Sequence, residues 1–209
     1  MQLQEIFQQL IAGFKNATTV EYIAVITGIV SVWFSRLENI WVYPIGLVST
    51  VSYVFLSFKY HLFGEATVNL YYTAMSIYGW ILWAKRDQQA HHVVKISFSS
   101  RKELKDQFVF FGVFYVVFYS ALRFLQNSFY PGTIPFGDAL ATATAFTGML
   151  LMARKKVESW YWWLATNFAS VPLYFIKGLT FTSVFYIVLF IMAIFGLIEW
   201  KKRAKENHA

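Results

Sequence analysis

Long apolar stretches separated by short charged clusters are the feature that most constrains this chain. Hydrophobic residues make up 57% of its 209 positions and charged residues only 14%, whereas an ordinary soluble domain is about 25% charged. Inside a bilayer the backbone amides have no water to bind, so apolar segments of this length cross it as hydrogen-bonded helices. The sequence therefore predicts an all-α membrane protein that crosses the bilayer several times.

We place seven transmembrane helices near residues 21–34, 40–58, 62–83, 108–125, 136–152, 160–177 and 182–200. Before them, residues 1–19 carry an apolar stripe opposite Gln and Glu side chains, which predicts an amphipathic helix at the membrane surface. A polar loop over 87–107 and a polar tail over 204–209 complete the chain.

The positions of the basic residues predict the orientation. With the N-terminus outside, most of the 18 Lys and Arg residues fall on the cytoplasmic side, as positively charged loops normally do. They lie after the first and third helices, in the basic run at 154–156 and in the tail. The C-terminus is then cytoplasmic, and the net charge of +7 needs no nucleic-acid partner.

A pattern in the first half of the chain recurs in the second half and indicates an internal repeat. The motif Tyr78-Gly79-x-x-x-Trp83 matches Phe195-Gly196-x-x-x-Trp200, and each pair of matched positions is 117 residues apart. Further upstream, Glu38 and the aromatic residues after it resemble Glu158 and its aromatic residues at an offset nearer 120. The drift predicts a small insertion or deletion between the two copies.

The repeat predicts the overall architecture. Two three-helix units cover residues 20–86 and 136–203, and a linker helix with its outside loop covers 108–135. The second unit starts four helices after the first, so both have the same orientation. Parallel repeats of this kind form transporters whose site lies between the two halves.

One face of the sixth segment carries the residues of a candidate site. Trp160, Trp163, Asn167, Ser170 and Tyr174 recur at steps of three and four, so they share a helix face. Indole rings stack on flat rings, and amide and hydroxyl groups bind sugars or amides. We interpret this face as substrate-binding. The alternative is that the two Trp residues belong to an interfacial belt and Asn167 bonds a neighbouring helix.

The third segment has a comparable face of polar and aromatic residues, made by Asn69, Thr73, Ser76, Trp80 and Trp83. Unpaired polar groups in hydrocarbon cost several kcal/mol, so these side chains need partners. A hydrated substrate pocket supplies such partners, and so do bonds between helices, which we favour for Ser76 alone.

The residues that are missing from the spans also limit the function. No acidic residue lies mid-span, which favours passive passage over coupling to protons or sodium. All four histidines, His61, His91, His92 and His208, fall in loops or the tail, and there is no Cys. The sequence offers no intramembrane metal site, cofactor site or catalytic base, so we do not expect an enzyme.

Several of these residues together resemble the PnuC family of nicotinamide riboside transporters over residues 20–203. They are Glu38-Asn39 with Gly46, the stretch from Asn69 to Tyr78-Gly79-Trp80-x-x-Trp83, the basic run before Trp160-x-x-Trp163, Asn167, and Gly196. The resemblance implies a fold like that of the SWEET sugar transporters. It also implies facilitated diffusion of a vitamin precursor across the bacterial inner membrane, with trapping by a cytoplasmic kinase. A homo-oligomer is left open.

The resemblance also assigns site residues. The Trp-x-x-Trp motif of the family falls on Trp160 and Trp163, and its following polar position on Asn167. We expect these two indoles to stack on substrate, Asn167 and Asn69 to bind it through hydrogen bonds, and Trp80 and Ser76 to contribute next.

The substrate itself has more than one candidate. Asn69 stands where nicotinamide riboside members tend to have Gln, and Ser76 where some have Asn. Relatives are assigned to thiamine and riboflavin. Nicotinamide riboside is the leading substrate, thiamine the runner-up and riboflavin the third. A membrane scaffold that transports nothing is the alternative class.

Overall fold

A computed structural model of the protein describes residues 17–59, 63–86, 93–128 and 134–206, together with the single positions 8, 11, 12 and 15. Its helices are α1 Thr19–Arg36, α2 Val42–Lys59, α3 Phe63–Ala84, α4 Arg101–Ser128, α5 Pro135–Ala153, α6 Ser159–Ile176 and α7 Thr180–Glu206. Each predicted membrane segment coincides with one of these seven, which confirms the all-α fold. By length and composition α2, α4, α5 and α7 are apolar enough to cross a membrane.

Parts of the sequence predictions fall outside the described residues. Most of the predicted surface helix over 1–19 does so, although the single positions 8, 11, 12 and 15 within it are helical. The loop residues 87–92 and all four histidines also lie outside them.

Local sequence signals explain where several helices begin. Thr18 and Glu21 form a capping box at the start of α1, in which each side chain binds the backbone N–H of the other. Pro135 opens α5, where its missing N–H costs nothing, and Asp138 accepts from the backbone N–H of Ile134 at 2.9 Å.

The fourth helix begins earlier than the sequence indicated. Ser100 and Glu103 form a second capping box, with the Ser100 N–H donating to the Glu103 carboxylate at 2.7 Å. As a result α4 starts at Arg101, and the last seven residues of the predicted 87–107 loop are helical. Just before it, the backbone of Ser97 bonds to that of Lys155 and Val157 at 3.2 and 3.1 Å, which fixes this segment on the turn after α5.

The helices pack as two groups with a peripheral member. Neighbouring backbones are α1 with α2, α2 with α3, α5 with α6, and α6 with α7, while α1 meets α7 and α3 meets α5. The α4 backbone lies next to α5 alone, and none of its apolar window is buried. The turns after α1 and α5 and the last turns of α3 and α7 meet at one end. We call it the basic end, because it holds Lys155 and Arg203.

Backbone geometry fixes the register of the internal repeat. Glu38 and Lys155, 117 residues apart, both have left-handed φ angles, 58° and 53°, and no other non-glycine residue in the described part of the chain does. Helices α2 and α6 both contain 18 residues and begin at equivalent positions. Glu38 therefore corresponds to Lys155. The predicted pairing of Glu38 with Glu158, and with it the predicted insertion, is wrong, because the two Glu residues occupy different positions in their turns.

Candidate functional site

The inward face of α3 is a stripe of six residues. Helical spacing at steps of four and three places Glu65, Asn69, Tyr72, Ser76, Gly79 and Trp83 on one face. Ser76, Gly79 and Trp83 are buried, Asn69 and Tyr72 are half-buried, and Glu65 is exposed. Ser76 and Trp83 are 3% and 2% exposed. Asn69, Ser76 and Trp83 of the predicted face lie on this stripe together with Tyr72 and Gly79, whereas Trp80 is exposed and Thr73, half-buried like Tyr72, lies beside the stripe. The substrate roles of these residues stay predictions.

The other two residues of the predicted α3 face have different surroundings. Trp80 is exposed on the outside of the bundle, and so are its neighbours Ile77 and Ile81. Thr73 donates from its hydroxyl to the Asn69 carbonyl at 2.8 Å and lies 3.0 Å from the Thr50 hydroxyl on α2. Trp80 therefore reaches the interior only if the helix rotates, and its substrate role stays a prediction.

The interior face of α6 brings Trp163, Asn167 and Ser170 together. Asn167 and Ser170 are buried, while the Trp163 indole keeps part of its surface exposed. That indole lies 6.2 Å from the Tyr72 ring, centroid to centroid, and rests against Gly148 of α5. Trp163 thus stands between α5 and the inward stripe of α3, which is the position that a stacking residue needs.

Tyrosines continue this surface away from the basic end. Tyr174 of α6 and Tyr186 of α7 stack with centroids 5.1 Å apart and planes 11° apart. Asn69, Tyr72, Tyr174 and Tyr186 all stay partly exposed although their helices face one another. Inward-facing aromatic and polar side chains that water still reaches are what a hydrated passage for a polar ring requires.

Trp160 has a different environment from Trp163. It is 1% exposed and meets Trp200 edge-on, at 5.6 Å and 87°. Its six-membered ring lies against the backbone at Gly196, where a Cβ atom would come within 2.4 Å of it. The Trp160 indole N–H has no partner in the described part of the chain. The geometry makes Trp160 a contact between α6 and α7, and its substrate role also stays a prediction.

The basic end is closed by a cluster of Glu38, Lys155 and Arg203. The Lys155 ammonium, 1% exposed, lies 2.7 Å from one Glu38 oxygen, and Arg203 lies 3.4 Å from the other. The ammonium also sits 4.6 Å from the centre of the Trp83 ring. Burial lowers the pKa of Lys155, while the Glu38 carboxylate opposes that shift. We refer to these three residues as the basic-end cluster.

Two hydrogen bonds from indole N–H groups link helices at the same end. Trp83 donates from its Nε1–H to the Ala153 carbonyl at 3.0 Å, and Trp200 does so to the Ser35 carbonyl at 3.0 Å. Trp83 of α3 thus reaches the end of α5, and Trp200 of α7, which lies 117 positions later, reaches the end of α1. Together with the cluster, these bonds hold the ends of α1, α3, α5 and α7 together at the basic end.

We expect Glu38→Gln to destabilise the fold by about 2 kcal/mol, because it leaves the buried Lys155 ammonium without its counter-charge. In the Glu38→Gln background, the further change Lys155→Met removes the unpaired charge and restores most of the loss. Thermal unfolding in detergent of the wild type, both single variants and the double variant gives the coupling energy. A coupling energy below about 0.5 kcal/mol would mean that the Glu38–Lys155 ion pair does not stabilise the fold.

The geometry as a whole defines a class of protein: an all-helical membrane protein with aromatic and polar side chains along the inward faces of α3 and α6. The match to a known family is direct. A family model described as nicotinamide mononucleotide transporter covers residues 18–202. The chain belongs to this family and is a transporter rather than an enzyme.

Individual relatives agree with that assignment. The chain is 25% identical to the nicotinamide riboside transporter PnuC of Escherichia coli K12, over 94% of this chain and 90% of the relative. It is 26% identical to the riboflavin/roseoflavin transporter RibM of Streptomyces davaonensis, over 87% and 84%. A crystal structure of the vitamin B3 transporter PnuC superposes with a TM-score of 0.70 and 21% identity, covering 98% of this chain and 90% of that one. This structural match confirms the predicted all-α membrane fold.

Proposed function

We propose that this protein carries nicotinamide riboside across the membrane by facilitated diffusion. The observation that carries the proposal is the inward, partly exposed Trp163, which lies one helical turn from the buried amide of Asn167 and faces Tyr72 of α3. Membership of the family, and the riboside named for the Escherichia coli relative, supply the substrate class.

The chemistry of the riboside suits these side chains. Its pyridinium ring is flat and positively charged, and a desolvated contact with an indole face contributes roughly 2 kcal/mol. Asn167 and Asn69 each donate and accept, so they match ribose hydroxyls and a carboxamide. The Asn69 amide now donates to the Glu65 carbonyl at 2.9 Å, a bond that a substrate group would replace or share.

The six site residues then take different roles. Trp163, Asn167 and Asn69 contact the substrate. Trp160 and Ser76 act from the packed layer behind it, and Trp80 contributes only when the helices move.

The contacts at the basic end support a two-unit architecture. Ser35 lies against Met152, and Glu38 against Lys155, and both pairs join positions 117 apart. Direct contact between equivalent positions is what a local twofold axis between two copies produces. We therefore propose two three-helix repeats, over 20–86 and 136–203, joined through a linker over 108–135. In the transport step one repeat rocks against the other.

The cellular setting follows from the same proposal. The basic end faces the cytoplasm of a bacterial inner membrane, which leaves the N-terminus outside and the C-terminus inside. A cytoplasmic kinase traps the substrate by phosphorylating it, and the chain works alone or as a homo-oligomer.

Titration calorimetry of the purified protein with nicotinamide riboside, thiamine and riboflavin in turn tests the substrate. We expect saturable binding of the riboside. If only thiamine binds, the transport mechanism stands but the substrate is thiamine. Asn69 and Ser76 would then be the positions that set the substrate preference. Riboflavin alone binding would favour the function named for the Streptomyces relative. Binding of none would support a scaffold.

A further inference from the structure

Glu65 begins the inward stripe of α3. It precedes Asn69 by one helical turn, and the stripe continues through Tyr72 and the buried Ser76 to Trp83. Its Cα–Cβ bond therefore points toward the interior of the bundle. The Glu65 side chain is nevertheless exposed. A side chain that points inward and still meets water lies at the open mouth of a passage, here at the end opposite the basic end.

Glu65 lies at the same end of the bundle as the stacked tyrosine pair. The last turn of α3 is at the basic end, so Glu65 in the first turn of α3 lies at the opposite end. Helix α6 ends there and α7 begins there, which brings the stacked Tyr174 and Tyr186 to that end as well. Glu65 thus lies at the end from which a substrate ring would reach this aromatic surface.

The other charged groups at this end already have partners. Lys177 forms an ion pair with Asp138. The Glu21 carboxylate accepts from the backbone N–H of Thr18 in the capping box of α1. Glu65 has no ion pair with another described residue, so its negative charge acts on whatever enters the passage.

We propose that Glu65 selects for positively charged substrates at the entrance to the passage. The inference rests on the proposed function and adds a residue to it. A single carboxylate in a mouth with low-dielectric walls raises the local concentration of cations and repels anions. The riboside has a permanent positive charge on its ring, whereas its reduced dihydropyridine form has almost the same shape and no charge on that ring. Glu65 therefore strengthens binding of the oxidised form and leaves the reduced form unaffected.

The test compares Glu65→Gln with wild type for both forms of the riboside, by titration in detergent at low and high salt. We expect the variant to bind the cationic form about three- to tenfold more weakly, with a smaller salt dependence, and the neutral form as before. Glu21→Gln is the matched control, because it removes the same charge from a first helical turn at the same end. It should weaken binding of the cationic form less than Glu65→Gln does, because Glu21 lies on α1 and outside the inward stripe of α3. Thermal unfolding of both variants checks that they are folded.

Each outcome bears on the proposal. An unchanged affinity of Glu65→Gln for the cation, or an equal loss for both forms, would overturn the role of Glu65 while leaving the transporter assignment in place. A wild-type protein that binds neither the riboside nor thiamine would overturn the proposed function and the role of Glu65 together. A wild-type protein that prefers the neutral form would overturn the role of Glu65 alone.

Discussion

Trp163→Ala is expected to weaken nicotinamide riboside binding about 30-fold, which corresponds to roughly 2 kcal/mol for a desolvated cation–indole contact. The variant removes the one partly exposed indole that faces both Tyr72 and the amide of Asn167. Calorimetric titration measures the affinity, and uptake into vesicles at substrate concentrations below saturation should fall in parallel.

The neighbouring Trp162 gives a matched control. Its indole N–H donates to Gln107 at 3.0 Å, and its ring packs on Phe108 and Phe111 of α4. Trp162→Ala removes the same volume from the same helix but on the side away from the site. It should lower thermal stability and leave affinity unchanged. Equal losses of affinity in the two variants would show that Trp163 acts through folding and not through substrate contact.

Gly196→Ala is expected to destabilise the protein by about 2–3 kcal/mol, as overpacking of a well-filled interior does. An added Cβ atom would lie 2.4 Å from a ring carbon of Trp160, and the α7 backbone cannot move away without breaking the contact with Trp200. A Cβ atom added at Gly79, which lies 117 positions earlier, would come within 2.5 Å of the Tyr43 ring. Gly79→Ala should therefore destabilise the protein by a similar amount. Thermal unfolding in detergent measures both.

Gly112 of α4 is the control for these substitutions, since nothing lies within 4 Å of its added Cβ atom. Gly112→Ala should be neutral or slightly stabilising, because alanine favours the helix. Shortening the indole in the double variant Gly196→Ala, Trp160→Leu should recover part of the lost stability. If Gly196→Ala unfolds at the same temperature as Gly112→Ala, the packing described for Trp160 is incorrect.

The sequence predicted the helices well, because long apolar runs leave a membrane chain few alternatives. The register of single faces was harder to predict. On α3, Thr73 and Trp80 looked like site residues because polar and aromatic side chains stand out, whereas the inward Gly79 has no side chain to attract attention. The clue was its repeat partner Gly196, at the same offset of 117.

Other differences have comparable causes. Glu65 was not singled out because it lies near the end of a span, although its step of four to Asn69 places it on the same helix face. The equivalence of Glu38 and Lys155 was hidden because opposite charges do not look like a repeat. The shared left-handed backbone shows it directly. The Ser100–Glu103 capping box was readable from the sequence and would have placed the start of α4 correctly.

The most direct test of the central claim is uptake of radiolabelled nicotinamide riboside into liposomes that contain only the purified protein. Membrane potential and pH gradient are held at zero, because a permanent cation would otherwise follow the potential. We predict saturable uptake that ends when the inside and outside concentrations are equal, and faster exchange when unlabelled riboside is loaded inside. Accumulation above the outside concentration when sodium or a proton gradient is added would contradict uncoupled passage. Uptake no faster than in protein-free liposomes would contradict transport itself.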